Sequence, residues 1–351
     1  MSSQFNRAYA ALDLQAKFKT QPEHFRVFEQ LPFECSGSGE HLYIHIRKTN
    51  QNTQWLARQI AKWASVTAKD VSYAGLKDRH GITEQWFSVW LPGQELDAGS
   101  LAVEGVEVLE QHRHSAKLRR GALSGNRFEI ILADVTSTSG ELDRDVVEQR
   151  LQLIKQQGVP NYFGDQRFGH DGNNVSKALA SLSGKGRGRL KRDTKSLHIS
   201  ALRSYVFNQV LSQRVEAGNW HQPIPGEPLC LDGSRSWFLP ESLDAELLGR
   251  IDQWDCHPSG PLWGRGRSPA QEEAGAFETT AVASLTEMLG VLENQSLKQE
   301  RRPNRLRPQE LSWHWQGNDL HLAFGLTPGC YATSMLRELI GHLEEPDFAS
   351  A

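Results

Sequence analysis

Cysteine is scarce in this chain of 351 residues, and the few cysteines lie far apart in the sequence. No two of them form a Cys-x-x-Cys pair, so the pattern favours neither a zinc site nor a disulfide framework. Thiols that stay reduced are typical of cytosolic proteins, so we expect a cytoplasmic location and no bound metal. The four cysteines are Cys35, Cys230, Cys256 and Cys330.

Long hydrophobic runs are also missing. No segment approaches the ~20 consecutive apolar residues of a membrane-spanning helix. The first residues, from Met1 to Arg7, lack the apolar stretch of a secretory signal. The chain contains 38% hydrophobic residues, which is enough for globular cores, and its length is sufficient for two domains of ordinary size. The composition therefore predicts a globular protein with no membrane association.

Two kinds of cofactor-binding loop are absent. The sequence has no Gly-x-x-x-x-Gly-Lys-Ser/Thr loop, and its glycine-rich run at residues 184–188 is basic and does not follow a strand. The chain also lacks the Cys-x-x-Cys ligands that nucleic-acid deaminases use to hold zinc. We therefore predict no cofactor, and both deaminase and cofactor-dependent methyltransferase chemistry are disfavoured.

An excess of charge of either sign is absent as well. The 39 basic and 42 acidic residues leave a net charge of −3, which by itself does not indicate a nucleic-acid-binding protein. The basic residues are nevertheless segregated, and such clusters can hold a polyanion locally. Each cluster alone is typical of a solvated loop, but three of them beside a catalytic-looking motif favour RNA binding. The clusters cover residues 117–120, 183–195 and 300–307.

The most informative stretch is residues 73–90, Tyr-Ala-Gly-Leu-Lys-Asp-Arg-His-Gly-Ile-Thr-Glu-Gln-Trp-Phe-Ser-Val-Trp. It sets Asp78 between Lys77 and Arg79, shortly before a run of aromatic and β-branched residues that is typical of a buried strand. A carboxylate between two cations at the mouth of a sheet stays ionised, and the cations can also hold phosphates. Without its sequence context, a loop aspartate in a salt bridge would be the default interpretation.

Hydrophobic periodicity divides the chain into three parts. Strand patterns and a helix capped at Asn52 come first, and a helix at residues 142–157 follows, with Gly158 at its C-cap. Up to about Arg305, short helical patterns then alternate with Gly/Pro-rich stretches. A strand pattern at 320–324 and an amphipathic helix at 333–342 come last. The sequence thus predicts a mixed α+β domain interrupted by an inserted domain.

Residues 73–90 resemble the signature of the TruD family of tRNA pseudouridine synthases, approximately Ala-Gly-x-Lys-Asp-Arg-x-Ala-x-Thr-x-Gln. The chain departs from it at Gly81, where the family more often has alanine. Stretches 19–29, 37–53, 158–169 and 324–338 resemble further family motifs in the right order, with slightly unusual spacing near Pro328. The resemblance covers nearly the whole chain. The signature positions that match are Ala74, Gly75, Lys77, Asp78, Arg79, Thr83 and Gln85.

The resemblance implies an α+β fold: a pseudouridine synthase core with a mixed, largely antiparallel sheet flanked by helices, interrupted by an inserted α/β domain specific to TruD proteins. We place the catalytic domain at residues 1–153 and 305–351, and the inserted domain at 154–304. The implied activity is the isomerisation of uridine to pseudouridine in tRNA, with uridine 13 of tRNA(Glu) as the expected target. We expect a monomer, with tRNA as its partner and no protein partner.

The resemblance also implies roles for individual residues. Asp78 corresponds to the catalytic aspartate of the family, and the sequence leaves open whether it acts as a nucleophile or as a base at C2′. The target base must leave its stack and be held by aromatic faces and by hydrogen bonds to its edge. The residues expected to hold it are Phe25, Asn126, Phe128 and Phe324, with Lys19 as a weaker candidate near Asp78 or a phosphate. The candidate contacts to the RNA backbone are Lys77, Arg79, Arg167, Lys185, Arg187, Arg189, Arg301 and Arg305.

The main alternative is a non-catalytic RNA-binding protein built on the same fold. Such a protein would be expected to lack the carboxylate, and Asp78 is present. A 5-fluorouridine at the target position separates the two functions, because it stalls a pseudouridine synthase and leaves a simple RNA-binding protein unaffected.

Overall fold

A computed structural model describes residues 5–164, 167–169, 173–184 and 191–346 of the chain. Contacts between Cα atoms divide it into two compact units, each assembled from three segments. We call them the sheet unit and the helical unit. The sheet unit comprises Asp13–Asp143, Pro308–Gly329 and His342–Ala351, and the helical unit comprises Met1–Leu12, Arg144–Arg307 and Cys330–Gly341.

The sheet unit contains a ten-stranded sheet and one α-helix, with elements numbered along the chain. Its helix α1, Thr53–Trp63, begins after Asn52, whose side chain accepts hydrogen bonds from the backbone N–H groups of Gln54 and Trp55, as a helix cap does. Its strands are β1 (Leu14–Lys17), β2 (Phe25–Gln30), β3 (His41–Thr49), β4 (Val71–Tyr73), β5 (Ile82–Trp90), β6 (Val106–His114), β7 (Gly125–Ser137), β14 (Gln309–Gln316), β15 (Asp319–Leu326) and β16 (His342–Glu344).

The main path through this sheet runs in the order β14-β15-β7-β2-β5-β3-β6. Most neighbouring strands are antiparallel, while β2 pairs with β5, and β1 with β16, in parallel. The strand pattern at 320–324 and the run of aromatic and β-branched residues that ends at Trp90 both lie in this sheet. The sheet is therefore mixed and largely antiparallel, as the sequence predicts.

One face of this sheet carries both α1 and the row of predicted aromatic residues. Leu56 and Ile60 of α1 pack on Ile44 and Ile46 of β3 and on Phe87 of β5. The cross-strand register continues the same face from β3 through β5 and β2 to β7 and β15. Because side chains alternate between the two faces of a strand, residues that oppose each other in this register share a face. We call this face the helix face.

The helical unit is built from seven α-helices and two small sheets in the part of the chain that the structure describes. One small sheet has the order β10-β9-β11-β12, and the other pairs β13 with β8. The helices are α2 (Arg144–Gln157), α3 (Asn173–Leu182), α4 (Arg192–Glu216), α5 (Ala245–Asp252), α6 (Glu272–Ala281), α7 (Thr286–Glu293) and α8 (Ala332–Leu339). The strands are β8 (Val159–Pro160), β9 (Leu229–Leu231), β10 (Trp237–Phe238), β11 (Cys256–Leu262), β12 (Glu300–Pro303) and β13 (Arg305–Leu306).

The compact units follow different bounds from the domains predicted at residues 153/154 and 304/305. The first predicted boundary falls inside α2, and Arg150 of α2 donates to the carbonyl of Glu338 in α8. Residues 144–153 and the C-terminal helix therefore belong to the same compact unit as the middle of the chain. The N-terminal segment joins the same unit, where Arg7 donates to the carbonyls of Arg337 and Ile340. The compact units are defined by contacts between Cα atoms, and the predicted domains follow the family resemblance, so their bounds can differ. The predicted domain boundaries stay a prediction.

Candidate active site

Asp78 lies in the loop between β4 and β5, which we call the Asp78 loop (residues 74–81). Its side chain is 38% exposed, so the carboxylate is open to solvent at the start of a buried strand. The loop ends at Gly81, which adopts a φ of +135°. A Cβ atom there would lie 2.5 Å from the carbonyl oxygen of Phe25. This chain therefore requires glycine where the family signature more often has alanine.

Lys19 is the cation that faces the Asp78 carboxylate. Its Nζ lies 4.0 Å from Asp78 Oδ1, and the lysine side chain is buried. The same ammonium lies 4.1 Å from the centre of the Phe25 ring, a cation–π distance. Lys19 has a φ of +57°, a backbone conformation that is uncommon for a lysine. The structure thus brings Asp78, from the stretch 73–90, together with Lys19 and Phe25, from the stretch 19–29.

The three predicted phenylalanines form a continuous row on the helix face. Phe128 on β7 lies opposite Phe324 on β15, and their rings stack at 5.5 Å between centroids. Phe25, on β2, lies 6.1 Å from Phe128, in a tilted arrangement. All three side chains are buried. A row of buried rings is typical of a core, and its use as a platform for a base depends on the polar groups at its edge.

Two polar atoms on the helix face are buried without a hydrogen-bond partner among the described residues. One is Oδ1 of Asn126, two residues from Phe128 on β7, and the other is Oγ1 of Thr83 on β5. Asn126 lies opposite Glu29, and Thr83 lies opposite Val27, so both belong to the face that carries the phenylalanine row. A buried polar atom that lacks a partner is costly, so such atoms mark positions where a ligand can complete the bonding.

The structure does not support the prediction that Lys77 contacts the RNA backbone. Its side chain points into the protein, where Nζ forms an ion pair with Glu29 Oε2, and both side chains are nearly fully buried. The second Glu29 oxygen accepts a hydrogen bond from the backbone N–H of Trp86 at 3.1 Å. Because this lysine is committed to a buried carboxylate, it has no access to a phosphate, and it leaves our set of RNA contacts. Arg79, on the same loop, is exposed.

Arg301 and Arg305 of the helical unit are corrected for the same reason. Arg301 contacts Glu278 Oε1 at 2.6 Å and donates to Ser259 Oγ, and its side chain is fully buried. Arg305 donates to His257 Nδ1 at 3.1 Å and to backbone carbonyls, and burial lowers its pKa to about 10. Neither guanidinium reaches solvent, so both leave the set of RNA contacts.

Arg167 is the remaining helical-unit candidate that the structure describes. It is partly exposed, and it donates to Ser200 Oγ and to the Tyr331 hydroxyl, each at 2.7 Å. The predicted contacts Lys185, Arg187 and Arg189 lie outside the described residues.

Sequence reasoning missed two charged residues that contact the Asp78 loop, Glu29 and Lys48. Lys48 is fully buried on β3, and its Nζ donates to the carbonyl oxygen of Asp78 at 2.8 Å. Burial lowers the pKa of Lys48 to about 8, and the negative charge of Asp78 partly opposes this shift. A usable signal was present, because the alternation of Leu42, Ile44 and Ile46 continues to Lys48 on the inward side of the strand.

Within the described residues, no group of three or more His, Cys, Asp or Glu side chains is arranged to hold a metal ion. None of the helices described is long and apolar enough to cross a membrane. The candidate site combines the exposed carboxylate of Asp78 with the buried Lys19 and Lys48, a row of aromatic rings and unpaired polar atoms.

Comparison with known proteins defines the class to which this fold and site belong. The sequence model of the family described as tRNA pseudouridine synthase D (TruD) matches residues 7–181 and 171–339. The chain is 48% identical to the tRNA pseudouridine synthase D of Nitrosococcus oceani over 329 residues, covering 93% of this chain and 90% of that protein. It is 45% identical to the protein of the same name from Hydrogenovibrio crunogenus, covering 96% of each chain.

The fold has a solved counterpart. A crystal structure from Methanosarcina mazei, described as a tRNA pseudouridine synthase D (TruD), superposes with a TM-score of 0.67 at 19% identity, covering 95% of each chain. This likeness confirms the predicted α+β fold. With the family match and the relatives at 45–48% identity, it follows that the chain belongs to the tRNA pseudouridine synthase D (TruD) family.

Proposed function

We propose that this protein isomerises uridine to pseudouridine in tRNA, with Asp78 as the catalytic carboxylate. The proposal rests first on membership of the family and on the names of the relatives that cover nearly the whole chain. The observation that carries the catalytic assignment is the exposed Asp78 carboxylate, which faces the buried ammonium of Lys19 at the start of β5.

The reaction needs only bonds within the nucleoside to change. The N1–C1′ bond breaks, the uracil turns, a C5–C1′ bond forms, the C5 proton leaves and N1 takes up a proton, so the product is an isomer of the substrate. Asp78 starts the sequence either as a nucleophile on the sugar or as a base at C2′. Neither route calls for a redox carrier, and we propose that the enzyme works without a cofactor.

The phenylalanine row and Asn126 are proposed to hold the flipped-out uracil. Uracil offers carbonyl acceptors and an N3–H donor on one edge, and a single side-chain amide can pair with both kinds of group. The buried Oδ1 of Asn126 has an unused acceptor that the N3–H would satisfy. Phe25, Phe128 and Phe324 supply the apolar surface beside it. Because the three rings are buried, their side chains must move before the uracil can contact them.

The finer substrate assignment is uridine 13 of tRNA(Glu), as the family resemblance implies. Arg79 and Arg167 are the proposed contacts to the RNA backbone among the described residues, and Lys185, Arg187 and Arg189 are retained from the sequence. We further propose a cytoplasmic monomer, with the catalytic domain at residues 1–153 and 305–351 and the inserted domain at 154–304.

The deciding experiment is tritium release from an unmodified tRNA(Glu) transcript that carries 5-tritiated uridine. Loss of the C5 proton releases tritium, so the parent protein is expected to release it and Asp78→Asn to be slower by about 10³-fold or more. Both proteins are expected to bind the transcript with similar affinity.

Each other result contradicts a defined part of the proposal. Binding without release by the parent favours an RNA-binding protein, or a different target RNA, over the proposed reaction. Equal release by the parent and Asp78→Asn leaves the reaction in place and removes Asp78 from it. Release that persists after uridine 13 alone is replaced by cytidine contradicts the assigned position.

A further inference from the structure

The connection between β3 and α1, residues 48–53, bonds to the Asp78 loop through three residues. Lys48 Nζ donates to the carbonyl oxygen of Asp78 at 2.8 Å. Asn50 Oδ1 accepts from the backbone N–H of Gly81 at 3.2 Å. Thr53 Oγ1 accepts from the backbone N–H of Lys77 at 3.1 Å. The backbone N–H of Asn50 also donates to the carbonyl oxygen of Gly81 at 3.1 Å. Of these four bonds, the one from Lys48 uses a full charge, and it acts on the backbone of Asp78 itself.

The Lys48 ammonium bridges two separate pieces of backbone. Besides the carbonyl of Asp78, it donates to the carbonyl of Gln51 at 2.7 Å. Its side chain has no exposed surface. It also lies opposite Thr83 on the helix face, two residues beyond Ile46 of the same strand. Burying an ammonium in such a place is costly, and a methionine of similar length would avoid the cost. The charge therefore needs an explanation other than packing.

The geometry points to Lys48 as a positioning residue for Asp78: its ammonium fixes the Asp78 peptide, and thereby the direction in which the carboxylate leaves the loop. The carboxylate is joined to its backbone through a single Cβ, so a turn of the peptide moves it directly. Lys48 does not touch the substrate, because it is enclosed by protein. The inference rests on the proposed catalytic role of Asp78.

The expected cost of losing Lys48 follows from the precision that catalysis requires. A displacement of about 1 Å in a reacting group can lower the rate by about 10²-fold, even when binding is unchanged. Asn50 and Thr53 still hold the two sides of the loop when Lys48 is replaced, so the loop is expected to stay folded. The predicted defect is therefore in the chemical step, with RNA affinity largely preserved.

The test compares Lys48→Met, Lys48→Gln and Lys48→Arg with the parent and with Asp78→Asn. The single-turnover rate of tritium release is measured with enzyme in excess, and the dissociation constant for the same transcript is measured by filter binding. We expect Lys48→Met to be slower by 10- to 100-fold with affinity within about twofold. Lys48→Arg, which retains the charge and the donors, should recover part of the rate. Lys48→Gln should lie between them.

Lys17→Met is the matched control. Lys17 pairs with Asp134 on the surface of the same unit, so its replacement removes a lysine with no link to the Asp78 loop. It should leave both the rate and the affinity unchanged. If Lys48→Met fails to fold, Lys48→Gln provides a weaker form of the comparison, since its neutral amide can replace only one of the two bonds that Lys48 makes.

A folded Lys48→Met or Lys48→Gln with a rate within twofold of the parent would overturn the inference. So would a loss of affinity as large as the loss of rate, or a Lys48→Arg variant no faster than Lys48→Met, because either result assigns Lys48 a structural role. Failure of the proposed function looks different: the parent then releases no tritium, or Asp78→Asn releases it at the parent rate.

Discussion

Two buried arginines of the helical unit each contact a buried carboxylate, whereas in the sheet unit groups near Asp78 keep bonding capacity unused. Arg301 contacts Glu278 at 2.6 Å, and Arg214 contacts Glu227 at 3.0 Å. By contrast, the Asp78 carboxylate lies 4.0 Å from Lys19, and Asn126 Oδ1 has no partner among the described residues. Satisfied charges fix a fold, while unused capacity is available to a substrate.

The contrast also exists within the sheet unit. Lys77 and Glu29 form a closed, buried ion pair directly beside Asp78 in sequence. The unit can therefore pair a buried charge beside Asp78, while Asn126 Oδ1 and Thr83 Oγ1 on the helix face have no partner among the described residues. Local incompleteness of this kind is expected where a site waits for a ligand. Substitutions in the closed ion pairs should therefore lower stability, and substitutions of the unpaired groups near Asp78 should lower activity.

The largest stability effect is expected from breaking a closed pair of the helical unit. Arg301→Met leaves the Glu278 carboxylate buried beside an apolar chain, and the loss of a buried partner costs about 3–5 kcal/mol. Urea unfolding should show a lower free energy of unfolding. The control is Arg250→Met, which removes a solvent-exposed pair with Asp255 and should lower the free energy of unfolding far less than Arg301→Met does. Equal effects of the two changes would contradict the contrast.

The next effect is a pH dependence that arises from Lys48. Its pKa is about 8 in the folded protein against 10.5 for an ordinary lysine. The folded state thus holds this proton less tightly, so the penalty of the buried charge is complete below pH 8 and is relieved as the pH rises toward 10.5. The parent should gain up to ~3 kcal/mol of stability relative to Lys48→Met across that range.

Thermal unfolding of the two proteins at pH 7 and at pH 10 measures this difference. The comparison cancels groups common to both proteins, and the charges that act on Lys48 are Asp78, which raises its pKa, and Lys77, which lowers it. A stability difference that is constant with pH would mean that the lysine is not buried as a charge.

Much of the fold follows from short-range patterns in the sequence. An alternating pattern located β15, a run of aromatic and β-branched residues located β5, and Asn52 and Gly158 marked the helix ends, because strand faces and helix caps depend on nearby residues. The orientation of the charged side chains could not be predicted in this way. Lys77 turns inward because Glu29, distant in sequence, lies beneath it. The cluster at 300–307 looked exposed because its buried partners lie on other elements.

Asn126 should affect activity without affecting stability. Because its Oδ1 has no partner in the folded protein, Asn126→Ala removes no bond that the structure shows and should change the free energy of unfolding by less than about 0.5 kcal/mol. The same change should slow tritium release by about 10- to 100-fold. Without Asn126, a polar group on the edge of the bound uracil has no hydrogen-bond partner, which costs about 1–3 kcal/mol. A rate equal to that of the parent would remove Asn126 from the base site.

The smallest effect is expected at Arg79, the exposed cation of the Asp78 loop. If it contacts a phosphate, Arg79→Gln should weaken tRNA binding by a few-fold and reduce the slope of log affinity against log salt by about 1. The single-turnover rate at saturating enzyme should be unchanged. Lys77→Gln gives the opposite pattern, because the buried Glu29 loses its partner, and stability should fall without a change in the salt slope. A lower salt slope for Lys77→Gln would mean that Lys77 reaches the RNA. That result would contradict the expectation that Arg79 contacts the RNA while Lys77 stays paired with Glu29.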